Sequence, residues 1–126
     1  MADKPVILIV EDDDDCRAVL TDVLEMCGYC VVSAGDARGA VELARKDPPA
    51  LVLLDFMMPD ADGGWVVETL RAAGAPLQDV PVVLTTGSSE GRSIARALGV
   101  RSLGKPFDVQ RLLDLVRTLA PVPNPP

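Results

Sequence analysis

Ala50-Leu51-Val52-Leu53-Leu54-Asp55 decides the fold. The run is apolar throughout, is preceded by Pro48-Pro49 and closes on an acid. A strand with one wet face alternates apolar and polar residues; an unbroken run of Leu and Val buries both faces. Such a strand belongs in the middle of a parallel sheet with helices on either side. The same pattern recurs outward in both directions. Upstream, Pro5-Val6-Ile7-Leu8-Ile9-Val10 is another continuous run, followed by the acids Glu11 to Asp15. Cys16, Val19, Leu20, Val23, Leu24 and Cys27 then recur at helical spacing and predict the inward face of a helix that Gly28 stops. A strand near 29–34 follows, then a helix capped by Asp36 with Ala40, Val41 and Ala44 inward.

Downstream of Asp55, the loop from Met57 to Gly63 leads into a helix over about 64–73 carrying Trp65, Val66 and Leu70. Trp65 is expected in the core or partly buried. Pro81-Val82-Val83-Leu84 predicts a fourth strand ending in Thr85-Thr86, and a short helix near 90–98 follows. A weak strand near 101–104 precedes Lys105-Pro106. The last helix, about 108–119, places Val109, Leu112, Leu113, Val116 and Leu119 on one face. Strand and helix thus alternate five times, which predicts an α/β fold: a (βα)5 doubly wound parallel sheet with right-handed crossovers. The domain is expected to span residues 1–120. The Pro-rich tail, 121–126, is expected to be disordered, because proline supplies no backbone donor, and no second domain is expected after it.

The chain has 126 residues, 48% of them hydrophobic, which suffices for one core without disulfides or a structural metal. Its 19 acids outweigh 12 bases for a net charge of -7, so it lacks the basic excess of a nucleic-acid binder. No apolar run approaches the roughly 20 residues that span a bilayer, and the N-terminus lacks a signal-peptide layout. These features point to the cytoplasm. Cys16, Cys27 and Cys30 are an odd set, expected as reduced thiols. With no histidine, every mechanism needing an imidazole base, nucleophile or ligand is excluded.

In open parallel sheets, ligands bind beyond the carboxyl ends of the strands, where the strand order reverses. At those ends stand Glu11 and Asp12, Asp55, Thr86 and Lys105. Three carboxylates in one crevice repel one another. A hard divalent cation with oxygen ligands, Mg²⁺ for so small a set, relieves that repulsion. One carboxylate can then attack phosphorus, with Lys105 and a threonine hydroxyl meeting the phosphoryl oxygens. Asp13, Asp14 and Asp15 suit a helix start instead, where acids meet the positive dipole end. Asp60 and Asp62 suit turn and cap positions.

Four segments in order resemble the signatures of the response-regulator receiver family: the apolar strand with Glu11-Asp12; Leu54-Asp55-Phe56-Met57-Met58-Pro59 with Asp62-Gly63; Val83-Leu84-Thr85-Thr86-Gly87; and Lys105-Pro106-Phe107. Together they cover nearly the whole chain. The resemblance implies a flavodoxin-like sheet with strand order 2-1-3-4-5 and phosphotransfer from a sensor histidine kinase or histidine phosphotransfer protein. It implies Asp55 as phosphoacceptor, and Mg²⁺ on Asp12, Asp55 and the backbone carbonyl of Met57, with Glu11 acting through water. It implies Thr86 and Lys105 on the phosphoryl group, a cis Lys105-Pro106 bond, and a downstream protein target rather than nucleic acid or membrane.

Two other functions compete. A haloacid-dehalogenase-type phosphatase also carries a nucleophilic Asp after a buried strand, but needs a second Asp where this chain has Met57. A degenerate receiver would bind partners constitutively, yet every phosphotransfer position is filled. The protein is therefore expected to be a phosphoacceptor rather than an enzyme acting on other substrates. Cys27-Gly28-Tyr29-Cys30 resembles a redox pair but lies at a helix C-terminus, so packing is expected of it. Ser102 stands where many receivers carry an aromatic switch residue, and the segment between Thr86 and Gly99 is about two residues short of the family pattern. Conformational changes are therefore expected in the loops after Asp55 and Thr86 and in the fourth helix.

Overall fold

The structure, a computed structural model, describes residues 4–123. Five parallel strands run β1 Val6–Val10, β2 Cys30–Ala34, β3 Leu51–Asp55, β4 Val82–Thr86 and β5 Arg101–Gly104. Five helices alternate with them: α1 Asp14–Met26, α2 Ala37–Lys46, α3 Gly63–Ala72, α4 Ser89–Leu98 and α5 Val109–Leu119. The sheet order is β2-β1-β3-β4-β5, the flavodoxin-like order that the resemblance implies.

Side-chain alternation divides the core. Leu8, Val10, Val52, Leu54, Val82 and Leu84 face α2, α3 and α4; Ile7, Ile9, Leu51, Leu53, Val83 and Leu103 face α1 and α5. Every residue of β3 and β4 is buried, which is why both read as continuous apolar runs. β2 is an edge strand and exposes much of its length.

Local chemistry sets the helix ends. Asp13, Asp36, Asp62, Ser88 and Asp108 occupy N-cap positions and each accepts a hydrogen bond from a backbone N–H of the first turn. Gly28, with φ +97°, follows the end of α1 in the left-handed conformation that side chains resist.

Several side chains depart from the sequence expectation. Val19 and Val109, predicted to face inward, are 58% and 45% exposed, because α1 and α5 leave a groove between their outer edges. Trp65, predicted to be core or partly buried, is an exposed residue with the Arg38 guanidinium 5.5 Å from its ring centroid. Cys30 faces out from the edge strand rather than packing. α4 is ten residues long, the length of α2 and α3, so the shorter segment does not trim it. Within the expected tail, Val122 packs against the α1–α5 side of the core; residues 124–126 lie outside the described residues.

Candidate functional site

Parallel register brings the strand ends to one edge. Val10 pairs with Leu54, Asp55 with Thr85, and Thr86 with Gly104. The ladder continues past the strands: the Glu11 N–H donates to Ala34 O at 3.1 Å, Phe56 N–H to Thr85 O at 2.9 Å and Lys105 N–H to Thr86 O at 2.9 Å. The chain leaves β1 for β2 on one side and returns to β3 on the other, so the crevice opens between Asp12 and Asp55.

One carboxylate oxygen from each of Glu11, Asp12 and Asp55 lies within 4.8 Å of the other two. Glu11 and Asp55 are buried and Asp12 is exposed. Lys105 Nζ bridges the buried pair, 3.0 Å from Glu11 Oε2 and 3.2 Å from Asp55 Oδ2. Burial pushes the Glu11 carboxyl above its ordinary range; the Lys105 hydrogen bond opposes that rise and the Asp55 charge adds to it. Burial works against the Lys105 ammonium, but its hydrogen bond to Glu11 and the fields of both carboxylates outweigh it and hold the lysine above its usual value. The Lys105-Pro106 bond is cis, as expected from the resemblance.

The loop after Asp55 is tied back on itself. The Met57 N–H donates to Asp55 Oδ1 at 3.3 Å, and the Gly63 N–H to Phe56 O at 2.8 Å. Asp60 accepts from the Ala37 and Arg38 N–H groups at 2.9 and 3.1 Å, and those backbone donors hold its carboxyl below its usual range. It thus joins the loop to the start of α2. Asp62 caps α3 through the Trp65 N–H. Neither acid belongs to the cluster, in line with their expected turn and cap roles. Asp13 likewise caps α1, and Asp14 pairs with Arg17.

Thr85 and Thr86 are both buried, but differently engaged. Thr85 Oγ1 makes one long contact to Leu54 O at 3.5 Å. Thr86 Oγ1 accepts from the Ser88 N–H at 3.1 Å and lies 3.1 Å from Ser88 Oγ. Ser88 was not among the residues the sequence singled out. A serine one residue before a helix is an N-cap signal that was available, whereas its contact with Thr86 had no sequence signature.

The donor set fits a hard divalent ion: three close carboxylates, two of them desolvated, with a single cation held between that pair. Fold and edge together define a doubly wound α/β domain whose chemistry is an acidic crevice closed by one lysine.

Comparison with known proteins agrees. Residues 7–117 match the model of the response regulator receiver domain. The response regulator MprA of Mycolicibacterium vanbaalenii is 36% identical over 116 residues, 90% of this chain and 49% of that protein. The transcriptional regulatory protein HprR of Escherichia coli is 34% identical over 114 residues, 88% of this chain and 49% of its own length. The chain therefore spans about half the length of the curated relatives it matches. The chemotaxis protein CheY4 of Vibrio cholerae superposes with a TM-score of 0.83 at 27% identity, over 92% of this chain and 98% of that one. The chain belongs to the response regulator receiver domain family, the phosphorylation-signalling module of two-component systems.

Proposed function

We propose that this domain accepts a phosphoryl group on Asp55 from a histidine kinase or histidine phosphotransfer protein and thereby changes what other proteins it binds. The P–N bond of the donor phosphohistidine breaks as the P–O bond to Asp55 forms, and the bonding electron pair leaves on the imidazole. The observation that carries this reading is Lys105 held between Glu11 and Asp55. Its ammonium stands where it can pair with a phosphoryl oxygen on Asp55. Thr86, at the end of the neighbouring strand, supplies a hydroxyl donor to another oxygen.

Asp12, Asp55 and the Met57 carbonyl would hold Mg²⁺ directly, with Glu11 acting through water. When bound, the ion neutralises the carboxylates and the phosphoryl oxygens so that the anionic nucleophile and anionic donor can approach. Met57 stands two residues after Asp55, where a phosphatase of related layout needs a general acid, so turnover of small phosphate esters is not expected. The acidic balance of the chain favours a protein target over a nucleic acid. No described helix is long and apolar enough to cross a membrane.

The test is labelling with acetyl phosphate and Mg²⁺, followed by intact mass. The protein should gain one phosphoryl group and Asp55→Ala none. Equal labelling of the variant would remove Asp55 from its role.

A further inference from the structure

We propose that the free edge of β2 is the seam of a symmetric dimer, in which β2 of a second copy of this chain pairs antiparallel with it and joins the two sheets into one. The inference does not depend on the phosphoacceptor reading, because β2 lies beyond β1 from Asp55.

The first observation is the character of the two sheet edges. A free edge strand presents unpaired backbone donors and acceptors, and chains usually blunt it with charge, proline or a bulge. β5 is blunted: the short run from Arg101 to Gly104 includes a charge and a glycine. β2 is not. Cys30-Val31-Val32-Ser33-Ala34 holds no charge, proline or glycine, and Val32 is 40% exposed. The outward backbone groups are also defined. The Cys30 N–H donates to Pro5 O and Ala34 O accepts from the Glu11 N–H, so Cys30, Val32 and Ala34 turn their backbone groups toward β1. Val31 and Ser33, between them, turn theirs outward. An antiparallel second copy satisfies both residues at once when each Val31 faces the other copy's Ser33. Each such pair then exchanges both of its hydrogen bonds, and Val32 meets its own copy on the two-fold axis.

The second observation is charge. Glu42 and Lys46 stand one turn apart on α2 and line an open depression beside Ser33 and Ala34 at this edge. Both are exposed, and neither forms an ion pair among the described residues. α2 packs over β1 and β2 and runs back along them. Gly39 sits against Ala34: a Cβ built there would lie 3.9 Å from the Ala34 Cβ. The step from Ala34 back to Val32 spans about 6.6 Å, roughly four residues of helix, so the axis meets α2 near residues 43–44. A two-fold at that level sets Glu42 of each copy opposite Lys46 of the other. Strand register and helix charge thus select the same axis, and that self-complementarity identifies the occupant as a second copy rather than an unrelated peptide.

Sedimentation equilibrium of the full chain tests this. Wild type should show a reversible monomer–dimer equilibrium with a dissociation constant of roughly 1–100 µM, the weak range that suits a small interface. Val32→Lys, which sets like charges against each other on the axis, should weaken it by about tenfold or more. Glu42→Lys and Lys46→Glu should each weaken self-association about fivefold, yet the two variants mixed should form a heterodimer as strong as the wild-type dimer. In a Cys30→Ser chain, Val32→Cys should be linked by a mild oxidant into a covalent dimer, because opposed residues of a non-hydrogen-bonded pair lie within disulfide reach. Wild-type Cys30, opposite Ala34 of the second copy, should not be linked. If circular dichroism shows Val32→Lys unfolded, the charge variants decide. A chain that stays monomeric up to about 1 mM would overturn the proposal. So would a dimer that folded Val32→Lys leaves intact, or charge variants that do not recover one another in the mixture.

Discussion

At the scale of single residues, Lys105 holds the site together. Among the described residues its ammonium is the one cation paired with the two buried carboxylates, and burying like charges without a counter-charge is costly. Replacing it with a side chain of similar length and no charge, Lys105→Met, should lower stability by about 1–3 kcal/mol at neutral pH. Millimolar Mg²⁺ should restore most of that loss. Urea unfolding with and without the metal measures both; an equal deficit in each would show that the carboxylates are not a cation site. Asp12 makes the complementary case. It is exposed, forms no ion pair among the described residues, and is set beside the buried pair. Asp12→Ala should weaken Mg²⁺ binding by roughly tenfold or more with little effect on folding. An NMR titration reads the affinity, and a wild-type value would remove Asp12 from the metal site.

At the scale of elements, the helices are fixed by local chemistry and their packing by a few long-range ties. Tyr29, at the entry to β2, is 1% exposed and donates its hydroxyl to Ala120 O at 2.8 Å, joining β2 to the end of α5. Burial pushes its phenol above the ordinary value, against the pull of the Arg117 charge. A raised folded value means that the bond stabilises fully below the unfolded pKa of about 10 and is lost as pH rises through the folded one. Tyr29→Phe keeps the ring but removes the bond. It should cost about 1 kcal/mol near neutrality, and its gap from wild type should narrow above roughly pH 10. Urea midpoints across that range test this; a constant gap would mean that the phenol does not titrate with folding.

At the scale of the whole molecule, a groove of about 320 Å³ runs between α1 and α5 beside the acidic edge. Cys16, Val19, Val23, Phe107 and Val109 line it, with Asp13 and Asp15 at its rim. On the proposed reading, a protein donor would bring its phosphohistidine to Asp55 while its body rests on neighbouring surface, and this apolar strip offers such a rest. Val19→Asp, which adds a charge to the strip, should slow phosphoryl transfer from a phosphohistidine protein about tenfold or more. Labelling by acetyl phosphate, which needs no docking surface, should stay unchanged. Equal loss with both donors would place the effect in the site or the fold rather than the groove.

The sequence by itself determined the strands, the helices and the strand-end positions of Glu11, Asp12, Asp55, Thr86 and Lys105. Those depend on periodicity and turn chemistry, which are properties of neighbours along the chain: continuous apolar runs for β1, β3 and β4, capping acids at Asp36 and Asp62, a stop at Gly28. Even the convergence of the acids was legible, because successive parallel strands present their carboxyl ends at one edge. The tertiary structure decided the rest. Val19 and Val109 follow the helical period and still face out, since the period marks which face is apolar and not how wide a stripe the neighbouring helix covers. Lys105 contacts Glu11 across 94 positions of chain, a pairing set by sheet register. The closeness of Gly91 to Thr86 depends on how near one helix lies to one strand, a distance that only tertiary packing sets.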